Sequence, residues 1–235
     1  MTATPKRPFP PLSPSSTSDA EAVRGNDWAA FRRLEQLVDH WTLKRWTPGQ
    51  TGFYWYLTFD DSSLVELATH CQKELARPGI DPVPLDGLHL TLLGIGRSDT
   101  VSDEQLSTVT VAARSRLRSV PPFCLDIGPL TGSRSALRFS VTPWDDLLAL
   151  HGVLREATTS VRSSAEIAET SQFRPHVGIG YLNTPQQADR LIEDVEPLRH
   201  LSPVTVSVAE VRLVQLRRDG RSYRWTDRAI VPLGS

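Results

Sequence analysis

Two stretches of this chain nearly copy one another, and any fold it adopts must accommodate both. LHLTLLGIG runs from Leu88 to Gly96, and PHVGIGYL from Pro175 to Leu182. In an extended strand, side chains at positions i and i+2 share a face. His89 and Thr91 therefore lie on one side of their strand, with Leu88, Leu90 and Leu92 on the other. The second copy sets His176 and Gly178 opposite Val177 and Ile179. A lone histidine in an apolar strand ordinarily packs into a core. One that recurs at the equivalent point of a repeat points to a shared task.

The elements around the two stretches repeat as well. The first half reads strand (Leu57), helix, strand (His89), helix, strand (Leu125). The second reads strand (Phe139), helix, strand (His176), helix, strand (Val206). A unit of about 85 residues is too long for a solenoid repeat. It predicts an α+β fold of two lobes related by a pseudo-two-fold axis. Two sheets would face a central cleft, with helices outside, and the two histidines would oppose each other across it.

Local signals fill in the rest. Residues 1–25 are rich in Pro, Ser and Thr near their start and read as a disordered tail. Residues 26–235 read as one bilobal domain. Trp28, Phe31, Leu34, Leu37, Val38 and Trp41 fall at helical spacing, predicting an extra helix over about 27–45 with Asn26 or Asp27 as its cap. FYWYLTF alternates Phe53, Trp55, Leu57 and Phe59 with Tyr54, Tyr56 and Thr58. Ser102 and Gln105 form a capping-box pattern. Thr184 is read as the cap of a helix to Val195, and RRDGRS as a hairpin turn. Val204 to Leu216 reads as one strand, bulged near Ala209 and Glu210. By strict alternation Tyr181, five positions after His176, points away from the cleft.

Composition narrows the function classes. Of 235 residues, 39% are hydrophobic and 23% charged, and the formal net charge is −1. That balance suits a globular domain and lacks the broad basic field of a nonspecific polyanion binder. Six arginines (Arg212, Arg217, Arg218, Arg221, Arg224 and Arg228) make a local basic patch, read either as an RNA contact or as a solvated hairpin face. Cys71 and Cys124 read as buried free thiols. No leader or membrane-spanning run is evident, so the expected compartment is the cytoplasm, and the expected state a monomer without cofactor or metal. His40, His70, His151 and His200 lack a partner motif and are assigned to the surface or to helix packing.

Two opposed histidines without a neighbouring carboxylate suit general acid–base catalysis. One neutral imidazole takes a proton while a protonated one gives a proton to a leaving group, and both forms exist near an unperturbed pKa of about 6.5. A hydroxyl beside a histidine can donate to a phosphate oxygen. HLTL at His89 and FRPHVGIGY around His176 resemble the paired motifs of the two-histidine phosphoesterase superfamily, which includes 2′-5′ RNA ligase-like proteins and cyclic phosphodiesterases. The likeness runs from about Phe53 to Trp225 and includes Phe173 and Pro175. It implies metal-independent chemistry on 2′,3′-cyclic phosphates or 2′-5′-linked nucleotide or RNA-end substrates. By position it implies His89 and His176 as the acid–base pair, with Thr91 and the Gly178 position at the phosphate. The superfamily has a hydroxyl where this chain has Gly178. Ser140 is a candidate to replace it, Arg138 a candidate phosphate partner, and Tyr54 and Tyr56 candidate substrate contacts. Alternatively, the missing hydroxyl leaves a nucleotide- or RNA-binding module with weak or no catalysis.

Overall fold

The structure, a computed structural model, describes residues 12–163 and 166–234. In chain order its elements are α1 (Ala20–Arg32), β1 (Gln36–Leu37), α2 (His40–Lys44), β2 (Thr51–Thr58), α3 (Ser62–Glu74), β3 (Ile80–Pro82), β4 (His89–Arg97) and α4 (Asp103–Leu117). There follow β5 (Phe123–Ser133), β6 (Ala136–Thr142), α5 (Asp145–Thr159), β7 (His176–Leu182), β8 (Gln186–Gln187), α6 (Asp189–Val195), β9 (Val204–Val208), β10 (Glu210–Asp219) and β11 (Ser222–Pro232).

The N-terminal region departs from expectation. Residues 1–11 of the expected tail lie outside the described residues. The later part of that segment is structured: Trp144 donates a backbone hydrogen bond of 2.8 Å to Thr17, and Arg174 reaches the Ser13 hydroxyl at 3.0 Å. α1 starts at Ala20, where the Asp19 carboxylate accepts from the Glu21 N–H and satisfies a donor the helix itself cannot. Asp39 caps α2 in the same way. Two short helices with a two-residue strand between them thus replace the single helix expected over about 27–45. Asp27, expected as a cap, is buried inside α1.

Two antiparallel sheets carry the fold, in the orders β11–β10–β2–β4 and β3–β7–β6–β5–β9. The two halves of the sequence do not each build their own sheet. The strand at Leu125 was expected to finish the first lobe, but it joins β6 in the second. Arg134 and Ser135 alone link β5 to β6, so the two strands are committed to pair as a hairpin. In return, the hairpin β10–β11 pairs with β2 of the first lobe. The stretch read as one strand from Val204 breaks at Ala209: β9 stays in the second sheet and β10 enters the first.

The alternation in FYWYLTF is realised. Phe53, Trp55, Leu57 and Phe59 enter the main core with Leu88, Leu90 and Leu92, while Tyr56 joins a separate apolar cluster with Val214 and Leu216. Ser102 and Gln105 form the expected capping box at α4. Thr184 does not cap α6, because the chain first makes β8, which pairs with β1. Cys71 is buried, and its thiol is pushed up to about 12 by burial, with Glu74 adding to the rise. Cys124 is exposed rather than buried.

Candidate active site

Each histidine begins a strand just after a turn, and each is held in the same way. The turn Leu85–Gly87 precedes His89, and the turn Thr170–Gln172 precedes the Phe173–Pro175 approach to His176. The Nδ1–H of His89 donates to the Gly87 carbonyl at 2.8 Å, and that of His176 to the Arg174 carbonyl at 2.8 Å. A carbonyl only accepts, so the proton sits on Nδ1 and the basic lone pair on Nε2 of both rings. The His89 ring stacks on Tyr56 with centroids 4.4 Å apart and makes a T-shaped contact with Trp225 at 5.3 Å.

Burial makes both imidazoles reluctant to charge. It lowers the His89 pKa, with the Gly87 hydrogen bond opposing the shift. Burial also lowers His176, to about 3, with the cations of Arg138 and Lys44 and the charge of His89 adding to it.

A matched irregularity follows each histidine. Tyr56 pairs with Thr91 and Trp55 with Leu93, which leaves Leu92 as an extra residue on β4. Arg138 pairs with Gly178 and Leu137 with Gly180, which leaves Ile179 as an extra residue on β7. Such a bulge reverses the alternation beyond it. Leu92 and Leu93 both reach the core, and Gly94 and Tyr181 then face the cleft. Tyr181 accordingly packs on His40 with centroids 4.3 Å apart and on Trp41 at 5.1 Å. Strict alternation had turned it away from the site; the bulge at Ile179 brings it in.

The other expected residues are distributed unevenly. Tyr56 is buried, and its phenol reaches the Thr91 side chain. Tyr54 lies beside Tyr56 at 6.1 Å and stacks on Trp46 at 6.4 Å. Arg138 and Ser140 pair across the ladder with Gly178 and His176, so they share the histidine's face. The Ser140 hydroxyl and one Arg138 nitrogen are engaged there. Asp27 of α1 lies against them, taking a 2.8 Å ion pair from Arg138 and a 2.7 Å hydrogen bond from the Ser140 hydroxyl. This contact engages the proton that Ser140 would have to donate to a phosphate. α1 thus covers part of an inner sheet face and is an exception to the pattern of helices outside.

Sequence reasoning missed His40, Trp41, Lys44, Tyr223 and Trp225. His40 is not on the surface. Its Nε2 meets the Tyr223 hydroxyl at 3.2 Å, and its Nδ1 the Ser135 hydroxyl at 3.3 Å. Burial and then Lys44 lower its pKa to about 3. No local signal marks these residues, because α2 and β11 each reach the histidines from far away in sequence. His151 is also buried; it stacks on Phe173 at 4.7 Å, and burial followed by Arg155 lowers it to about 4. The hairpin arginines are largely engaged: Arg212 with Asp227 and Glu210, Arg224 with Asp86, and Arg228 with Asp103. Among the described residues no group of three or more His, Cys, Asp and Glu gathers as a metal site. None of the described helices is long and apolar enough to cross a membrane.

These burials set a pH dependence of stability. His40, His151 and His176 have folded pKa values of about 3 to 4, below the ordinary 6.5. The unfolded chain therefore binds more protons in that interval. Stability is fully present above about pH 6.5 and is lost as the pH falls toward 4, by up to about 1.4 kcal/mol per pH unit for each group. Urea midpoints measured from pH 7.5 to 4.5 should fall steeply below 6.5. His151→Gln should flatten the slope.

Two sheets facing across a cleft, with one Nδ1-anchored histidine on each, define a two-histidine phosphoesterase fold. The family described as the 2′-5′ RNA ligase superfamily matches residues 59–220, and the chain belongs to it. No curated protein matches the chain significantly. Among solved structures, it is similar to TT0787 of Thermus thermophilus, with a TM-score of 0.59 and 17% identity over 79% of this chain and 98% of that one. It is also similar to Escherichia coli LigT in its apo form, with a TM-score of 0.59 and 20% identity over 79% and 99% of the two chains. LigT complexed with 3′-AMP gives a TM-score of 0.55 and 21% identity with the same coverage.

Proposed function

We propose that this chain is a phosphoesterase that opens 2′,3′-cyclic phosphate or 2′-5′-linked nucleotide or RNA-end substrates by acid–base catalysis between His89 and His176. The observation that carries the reading is the pair of matched Nδ1–H bonds to Gly87 and Arg174, which place both basic lone pairs on Nε2. The neutral imidazole takes a proton from water as the water oxygen attacks phosphorus. The phosphorus–ribose oxygen bond breaks, and the partner imidazolium protonates the departing oxygen, leaving a phosphomonoester. Thr91 donates to a non-bridging oxygen. The cations of Arg138 and Lys44, whose fields reach His176, favour the charge that builds at phosphorus. The Trp225 and Tyr54 rings are suited to contact a base.

The similarity to a protein complexed with 3′-AMP supports a nucleotide-sized ligand. The test is a panel of 2′,3′-cyclic mononucleotides and 2′-5′-linked dinucleotides assayed with excess EDTA. At least one should be hydrolysed. A panel left intact by folded protein would reject the reading.

A further inference from the structure

Gly178 leaves the second motif without its hydroxyl, yet the cleft has a hydroxyl beside that position. A Cβ placed on Gly178 would have one neighbour within 4 Å beyond the adjoining residues, the Tyr181 hydroxyl, at 4.0 Å. A serine hydroxyl at 178 would extend one bond further, into the space that the phenol oxygen borders. We infer that Tyr181 is the second phosphate-binding hydroxyl of the site, taking the place of the side chain absent at Gly178; this rests on the phosphoesterase reading.

Three observations converge on it. First, the bulge at Ile179 turns Tyr181 onto the face of His176 and Gly178. Second, the two lobes make opposite use of equivalent positions. Two residues after its histidine the first lobe has Thr91, and five residues after it Gly94, whose added Cβ would lie 3.2 Å from the Tyr54 ring. The second lobe has Gly178 and Tyr181 at those positions. The small residue and the hydroxyl-bearing residue have changed places. Third, the neighbouring hydroxyl on the same face is committed, since Ser140 donates to Asp27.

The phenol is positioned by its ring rather than by its oxygen. His40, Trp41 and Tyr223 surround the ring at 4.3, 5.1 and 5.5 Å. Burial, then Tyr223, raises the Tyr181 pKa, so the group stays an O–H donor throughout the working range.

The experiment uses Tyr181→Phe alone and together with Gly178→Ser. It reads kcat/KM on 2′,3′-cyclic AMP, the Kd for 3′-AMP by calorimetry, and Tm. Tyr181→Phe keeps the ring contacts, so Tm should hold while kcat/KM falls about 10²–10³-fold and 3′-AMP binds more weakly. Adding Gly178→Ser should restore at least a tenfold gain in kcat/KM and tighten 3′-AMP. Tyr181→Phe within threefold of wild type in both readouts would overturn the inference, as would a loss that Gly178→Ser does not recover. Turnover that survives replacement of His89 and His176, with 3′-AMP binding still dependent on Tyr181, would overturn the phosphoesterase reading and leave this inference standing. No 3′-AMP binding by wild type would overturn the inference outright.

Discussion

Alanine at His89 or at His176 should each lower kcat/KM on a hydrolysed cyclic nucleotide by about 10²–10⁴-fold, the range of a positioned proton donor or acceptor. The double variant should lose little beyond either single one, because each ring acts only with the other in the complementary protonation state. The losses should be catalytic rather than structural. Both rings sit at the start of a strand, and their Nδ1–H bonds run to carbonyls two residues upstream, Gly87 and Arg174. Far-UV circular dichroism should therefore match wild type. His176→Ala should even reduce the acid sensitivity of folding, since it removes a group that stays neutral only when folded. His89→Gln is the sharper control, because glutamine keeps polarity but cannot cycle a proton.

The largest effect on stability should come from Asp27. Its carboxylate is buried against Arg138, with side-chain exposures of 4% and 2%, and so holds a cation that has almost no access to water. Removing one partner of a buried pair typically costs about 3–5 kcal/mol. Asp27→Ala also takes the acceptor from the Ser140 hydroxyl. Against a typical domain stability of about 5–15 kcal/mol, such a variant should be largely unfolded at 37 °C or melt far below wild type. The paired replacement Asp27→Leu with Arg138→Met should recover much of the loss, because it leaves no buried charge. A small change in the chemical midpoint for Asp27→Ala would show that α1 contributes little to holding the inner face of the second sheet.

What was legible in the sequence follows from the range over which each signal acts. His89 and Thr91 share a face with no help from the rest of the chain, because period-two alternation holds over three residues. The Ser102–Gln105 capping box is local for the same reason. Tyr181 was lost because one extra residue, Ile179, reverses alternation, and nothing in PHVGIGYL marks where the partner strand slips. The exchange of hairpins between lobes was hidden by the near-regular repeat, although the two-residue link between β5 and β6 was a readable clue. Asp27, His40, Trp41 and Lys44 were beyond reach: each enters the site through partners distant in sequence, such as Ser135, Arg138, His176 and Tyr181.

The central claim is that one proton shared between two reluctant imidazoles drives the reaction, and the pH dependence of kcat/KM tests it most directly. The productive state has one ring neutral and one protonated, so the rate follows a bell bounded by the two pKa values of the pair. Both folded values lie below 6.5, with His176 at about 3. With EDTA present, kcat/KM on 2′,3′-cyclic AMP should peak on the acid side of pH 6.5 and fall about tenfold per unit above it. That falling limb should be absent from the residual activity of His89→Ala and His176→Ala. A wild-type profile that rises through pH 7 and stays flat to pH 9, or activity that survives both alanine substitutions, would contradict the account.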